Sequence, residues 1–124
     1  MTRGDREILV LEDDILLGQL LCDMIRMHRI GSPHLSTSEV DACQMMASHK
    51  FDLCIVDASL RGEVCHRAVA MANQNALPML LLTDGNDASE LNLAPTECRI
   101  VRKPASEEDI RLAAVELLGN EAVR

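Results

Sequence analysis

The chain is 124 residues long, with 48% hydrophobic and 26% charged residues, a composition that suits one packed domain and neither a disordered segment nor two separate cores. Twenty acidic against twelve basic residues give a formal charge of −8, a field that repels phosphate backbones and argues against direct nucleic-acid binding and anionic membranes. Phe51 is the single aromatic residue, so there are no aromatic faces on which unpaired bases could stack.

Taken in chain order, the opening MTRGDREILV passes from charged residues directly into a short apolar run, Ile8 to Leu11. No stretch approaches the roughly 18 apolar residues that cross a bilayer, and the start lacks the pattern of an export signal. We therefore expect a cytoplasmic protein with no membrane insertion. Ile15, Leu16, Leu20, Met24 and Met27, interleaved with Gln19 and Asp23, follow at helical spacing, with Gly31 as the expected stop. A fainter strand run lies at Pro33 to Leu35, and Ser38 with Asp41 then has capping-box spacing for a helix reaching about Ser48.

Leu53 to Val56 is a near-continuous aliphatic run of the kind covered on both faces inside a parallel sheet. Val64, Ala68, Val69 and Ala72 predict a third helix, and Met79 to Leu82 another buried strand. The segment from Gly85 to Thr96 holds few apolar residues and is cut by Pro95, so any helix there is short. Ile100 and Val101 form a fifth strand. Ser106 with Asp109 caps a final helix whose stripe is Ile110, Ala113, Ala114, Leu117 and Leu118, closed by Gly119. Strand and helix thus alternate five times, predicting an α/β fold with a doubly wound, five-stranded parallel sheet and helices on both faces.

In such sheets ligands sit at the carboxyl ends of the strands. Those ends carry Glu12, Asp13 and Asp14 after the first strand, Asp57 after the third, Thr83 after the fourth and Lys103 after the fifth. Two carboxylates about 4 Å apart repel by roughly 4 kcal/mol at an effective dielectric near 20, so Glu12, Asp13 and Asp57 call for a cation. Oxygen-only ligands, with positions left for water and phosphate, favour Mg²⁺. With Lys103 and Thr83 placed to receive phosphoryl oxygens, Asp57 is the natural nucleophile for an acyl phosphate.

The segments ILVLEDD, FDLCIVDASLRG, LLLT and VRKP, each closing a predicted strand, resemble in order the motifs of the receiver domain of two-component response regulators. That resemblance implies a flavodoxin-like strand order 2-1-3-4-5. It implies that Glu12, Asp13, Asp57 and the Ser59 backbone carbonyl hold Mg²⁺, that Asp57 accepts phosphate from a kinase phosphohistidine, and that Thr83 and Lys103 contact the phosphoryl group. The partners it implies are a sensor histidine kinase or phosphotransfer protein and a downstream protein. Asp14 lies just beyond the acidic pair and is assigned to helix capping instead.

Three positions depart from the family's pattern. Asp84 puts an acid where a small residue is usual, either hindering phosphate or facing solvent. Ile100 stands where an aromatic or His switch residue is common. Arg61 replaces a frequent Pro, and together with the Pro-broken stretch after Gly85 it resembles single-domain receivers with a degenerate fourth helix. Because the chain ends at Arg124, soon after its last helix, residues 1–124 are expected to form one receiver domain with no output domain, acting through protein contacts and not as a turnover enzyme.

Competing readings are a Mg²⁺-dependent aspartyl-phosphate phosphohydrolase, which needs an acid where Ser59 stands, and an unphosphorylated interaction module of the same fold. Flavodoxin-like cofactor binding is weaker still, because the first loop, Glu12 to Ile15, lacks the glycines and hydroxyls that would cradle a flavin phosphate. Cys22, Cys43, Cys54, Cys65 and Cys98 show no metal or disulfide spacing and are read as reduced core residues, and the seven Met as core filler. His28, His34, His49 and His66 lack mutual metal spacing and are expected on surfaces.

Overall fold

Aliphatic runs become the centre of a sheet here because alternate side chains leave each strand on opposite faces, and both faces are covered. The computed structural model describes residues 6–85 and 97–119. Its strands β1 (Glu7–Leu11), β2 (Ser32–Ser36), β3 (Leu53–Asp57), β6 (Met79–Thr83) and β7 (Cys98–Arg102) form one sheet in the order β2-β1-β3-β6-β7. All four neighbouring pairs are parallel. Counted by sheet strands alone, this is the expected 2-1-3-4-5. Two further strands, β4 (Ser59–Leu60) and β5 (Glu63–Val64), make a small antiparallel hairpin.

Alternation sorts the side chains into two cores. Leu9, Leu11, Cys54, Val56, Met79 and Leu81 pack with residues of helices α2 (Glu39–Ser48) and α3 (His66–Gln74). Ile8, Val10, Leu53, Ile55, Leu80 and Leu82 pack with residues of α1 (Ile15–Met27) and α4 (Glu107–Leu118). The fainter predicted run is β2, an edge strand, where Pro33 is tolerated because half of the strand's backbone groups need no neighbour.

Helix starts follow local chemistry. The side chains of Asp14, Ser38 and Ser106 accept hydrogen bonds from the backbone N–H groups of Leu17, Asp41 and Asp109 at the starts of α1, α2 and α4. α3 has no side-chain cap of its own, and Glu39 on α2 supplies one by accepting from the Ala68 N–H at 2.8 Å.

Several expectations are corrected. Gly31 does not stop α1. The helix ends through Arg29 at φ 56°, with Ile30 N–H donating to Ile25 O and Arg29 N–H to Arg26 O, a Schellman turn built on a non-glycine residue. Gly31 is needed for close approach instead, since a Cβ there would lie 2.5 Å from the Arg6 carbonyl oxygen. Val64 belongs to β5 and not to the third helix. Of the apolar stripe expected on α1, Met24 is buried, together with Gly18, Cys22 and Ile25, whereas Ile15, Leu16, Leu20 and Met27 are more than half exposed. The short helix considered between Gly85 and Thr96 falls on residues 86–96, outside the described residues.

Candidate functional site

β1 and β3 run side by side with Leu11 opposite Val56, so the acids that follow β1 emerge next to Asp57, the last residue of β3. Glu12 and Asp57 are almost fully buried and Asp13 partly so. One carboxylate oxygen from each of the three lies within 4.8 Å of the others. The expected cluster therefore assembles.

Lys103 completes it from the far side. β6 separates β3 from β7, and Lys103 N–H donates to Thr83 O at 2.7 Å, tying the residue after β7 to the end of β6. The side chain then reaches back so that Nζ sits 3.0 Å from Asp57 Oδ1. The same oxygen accepts from the Ser59 N–H at 3.1 Å. Thr83 is buried one residue past the Leu82 that faces Asp57, and its Oγ1 accepts from the Gly85 N–H at 3.0 Å. Asp84 is exposed.

The electrostatics are those of a site short of positive charge. Burial pushes the Glu12 carboxyl up to about 7; the Asp14 N–H, 3.0 Å from Glu12 Oε2, opposes this, and the charge of Asp57 adds to it. A hard divalent cation is the species that would relieve such a cluster, and three carboxylates with no nitrogen or sulfur donor match the ligand chemistry of Mg²⁺.

Two features, one at this site and one away from it, were not read from the sequence. The β4–β5 hairpin turns on Arg61 at φ 51° and Gly62 at φ 82°, both left-handed, as a two-residue type I′ turn requires. This turn brings the Arg61 N–H to within 2.9 Å of Asp13 Oδ2, which orients one of the three acids. The only local signal was a glycine closing a two-residue loop, and Arg in the first turn position disguised it. The second feature lies at the other end of β1. His34 and His49, expected as unrelated surface residues, both bond Glu7 Oε1, at 2.7 Å and 3.1 Å. His28 pairs with Glu107 at 2.8 Å, and His66 begins α3, exposed.

Of the thiols, Cys65 borders the acidic site, its Sγ donating to the backbone carbonyl of Asp57 at 3.3 Å. Cys54 and Cys65 are buried, and burial pushes the Cys65 thiol up to about 12, far from nucleophilic at neutral pH.

Comparison with known proteins agrees with this architecture. No family model matches the sequence, and no curated protein matches it either. Among solved structures, a response regulator receiver protein from Sinorhizobium medicae superposes with a TM-score of 0.80 at 16% identity, covering 94% of this chain and 96% of its own. The receiver domain of PhyR from Erythrobacter litoralis gives 0.75 at 23% identity, over 93% and 91%. The receiver domain of a sensor histidine kinase from Pseudomonas aeruginosa gives 0.77 at 17% identity, over 95% and 100%, and that structure has a magnesium ion coordinated in its active site cleft. The chain has the fold of response regulator receiver domains. Among the described residues, no helix is long and apolar enough to cross a membrane.

Proposed function

We propose that the protein is a cytoplasmic phosphoacceptor of two-component signalling, a single receiver domain that takes a phosphoryl group onto Asp57 from the phosphohistidine of a sensor histidine kinase or phosphotransfer protein. The observation that carries this reading is the meeting of Glu12, Asp13 and Asp57 with Lys103 Nζ 3.0 Å from Asp57 Oδ1. Static interaction modules have no need of three crowded acids beside a lysine at the mouth of a sheet.

In the proposed step an Asp57 carboxylate oxygen attacks phosphorus, the P–N bond to the donor imidazole breaks, and the imidazole leaves with the bonding pair and takes up a proton. Lys103 balances the charge of the incoming phosphoryl oxygens, and the hydroxyl of Thr83, on the adjoining strand end, donates to one of them. Glu12, Asp13, Asp57 and the Ser59 carbonyl would hold Mg²⁺, which when bound supplies charge neutralisation for the same oxygens. Added phosphate charge at this point biases Thr83, Lys103 and the adjoining loops between two states, and the output passes to a downstream protein. The protein accepts and loses one phosphoryl group and is not a turnover enzyme.

A groove of about 610 Å³ beside the site is lined by Leu17, Leu20, Met24, Leu82 and Ile110, with Glu12 and Lys103 at the site itself. With the exposed apolar residues of α1 it offers a donor protein a surface next to Asp57. The decisive experiment incubates the protein with a phosphorylated histidine kinase and Mg²⁺ and follows it by intact mass. One phosphate is expected on the wild type and none on Asp57→Asn. Labelling that persists in the variant rejects the assignment, and turnover of phosphate monoesters would favour a phosphohydrolase.

A further inference from the structure

A second cluster of ligating side chains lies at the opposite end of β1, five residues and roughly 16 Å of strand away from Glu12. We propose that Glu7, His34 and His49 form a binding site for a divalent transition-metal ion of the zinc class, separate from the acidic site.

Three different parts of the fold supply these residues: the first position of β1, the middle of β2, and the residue that follows α2. Both imidazoles aim Nε2 at one carboxylate oxygen, Glu7 Oε1, at 2.7 Å and 3.1 Å. The three ligand atoms all lie within 4.8 Å of one another. Tetrahedral zinc with bonds near 2.0–2.1 Å sets its ligand atoms about 3.3 Å apart. Opening the two contacts by about 0.6 Å and about 0.2 Å therefore makes room for the ion.

The donor set also selects the metal. Two imidazole nitrogens and one carboxylate oxygen suit zinc and its neighbours in the transition series, whereas Mg²⁺ and Ca²⁺ prefer oxygen alone. To bind, each imidazole presents the Nε2 lone pair, with its proton carried on Nδ1.

Two further observations support a built site. Both rings pack against Phe51, the buried single aromatic residue, with centroids at 5.6 Å from His34 and 4.7 Å from His49, and the imidazoles lie 5.2 Å from each other. Glu7 is fixed through its backbone, which donates to Asp52 Oδ2 at 2.7 Å and accepts from the Asp52 N–H at 2.7 Å. The side chains of Glu7, His34 and His49 nonetheless keep between 30% and 46% exposure, so an ion reaches them from solvent and retains room for a water ligand. An ion there would join β1, β2 and the α2–β3 connection.

The test titrates the reduced, full-length protein with zinc by calorimetry and with Co²⁺ by visible absorption, in excess Mg²⁺ so that the acidic site is filled. We expect one ion per chain, with affinity at least about tenfold weaker in His34→Ala and in His49→Ala, little changed in Asp13→Asn, and a Co²⁺ spectrum without a thiolate band. Imidazole nitrogen NMR of the wild type, which needs no variant to fold, should show Nε2 of both His34 and His49 shifting together on zinc addition. Failure to take up zinc, uptake unaltered by the His substitutions, loss of uptake in Asp13→Asn, a thiolate band, or unshifted His34 and His49 nitrogens would each overturn the proposal.

Discussion

Glu12 illustrates how a single buried acid reports on a whole site. Its carboxyl holds a proton up to about pH 7, against an ordinary value of 4.5, because it is buried and faces the charge of Asp57. The folded, metal-free protein therefore binds that proton more tightly than the unfolded chain does. As pH rises between these two values the unfolded chain gives up the proton first, so the stabilisation present at low pH is lost as pH climbs through about 7. Thermal unfolding of the metal-free protein should show wild type losing ground to Glu12→Gln across this interval, with Mg²⁺ reversing the loss. Parallel curves would mean that Glu12 is ionised throughout. Asp13 behaves differently in kind: its orientation comes from the Arg61 N–H at 2.9 Å, a contact between residues 48 positions apart.

The helices show which local signals suffice and which do not. Ser38 and Ser106 cap α2 and α4 as their spacing to Asp41 and Asp109 implies, because a capping bond needs only residues within one turn. Helix ends were less legible. α1 and α3 both close through left-handed residues that are not glycine, Arg29 at φ 56° and Ala76 at φ 53°, while the nearby Gly31 serves backbone approach. A left-handed alanine costs about 1–2 kcal/mol relative to glycine, partly offset by the greater freedom of glycine in the unfolded chain. Ala76→Gly should accordingly raise stability by about 0.5–1 kcal/mol in urea unfolding, and a clear loss would show that the Ala76 methyl group makes packing contacts worth more than the strain.

At the scale of the whole molecule, the displaced face of α1 matters most. Thirteen residues of this helix carry more apolar side chains than the sheet can cover, and Ile15, Leu16, Leu20 and Met27 are left in solvent, Leu20 lining the groove that also holds Glu12 and Lys103. Such a row is costly to expose without a partner to cover it. Leu20→Lys should leave the melting temperature within a degree or two, since the side chain is exposed. It should slow phosphate transfer from a phosphohistidine donor protein by about tenfold or more, while transfer from a small acyl phosphate donor is unaffected. Equal slowing with both donors would place the defect in the chemistry of the site and not in docking.

Strand runs, their alternation into two cores, the capping serines and the residues at the strand ends could all be read from the chain, because each depends on spacing within a few residues and on the rule that parallel sheets gather their carboxyl ends on one edge. Asp57 and Lys103 are 46 residues apart, yet that rule already puts both on the same edge. What only the folded structure decided were contacts that depend on the turn of a particular loop or the rotation of a helix about its axis. Arg61 reaches Asp13 because a two-residue turn takes left-handed angles. The excess of apolar residues on α1 made Ile15, Leu16, Leu20 and Met27 look like part of its buried side, whereas packing chose Gly18, Cys22 and Ile25 beside the expected Met24. His34 and His49 share Glu7 through an edge strand and a helix end whose relative heights no local periodicity encodes.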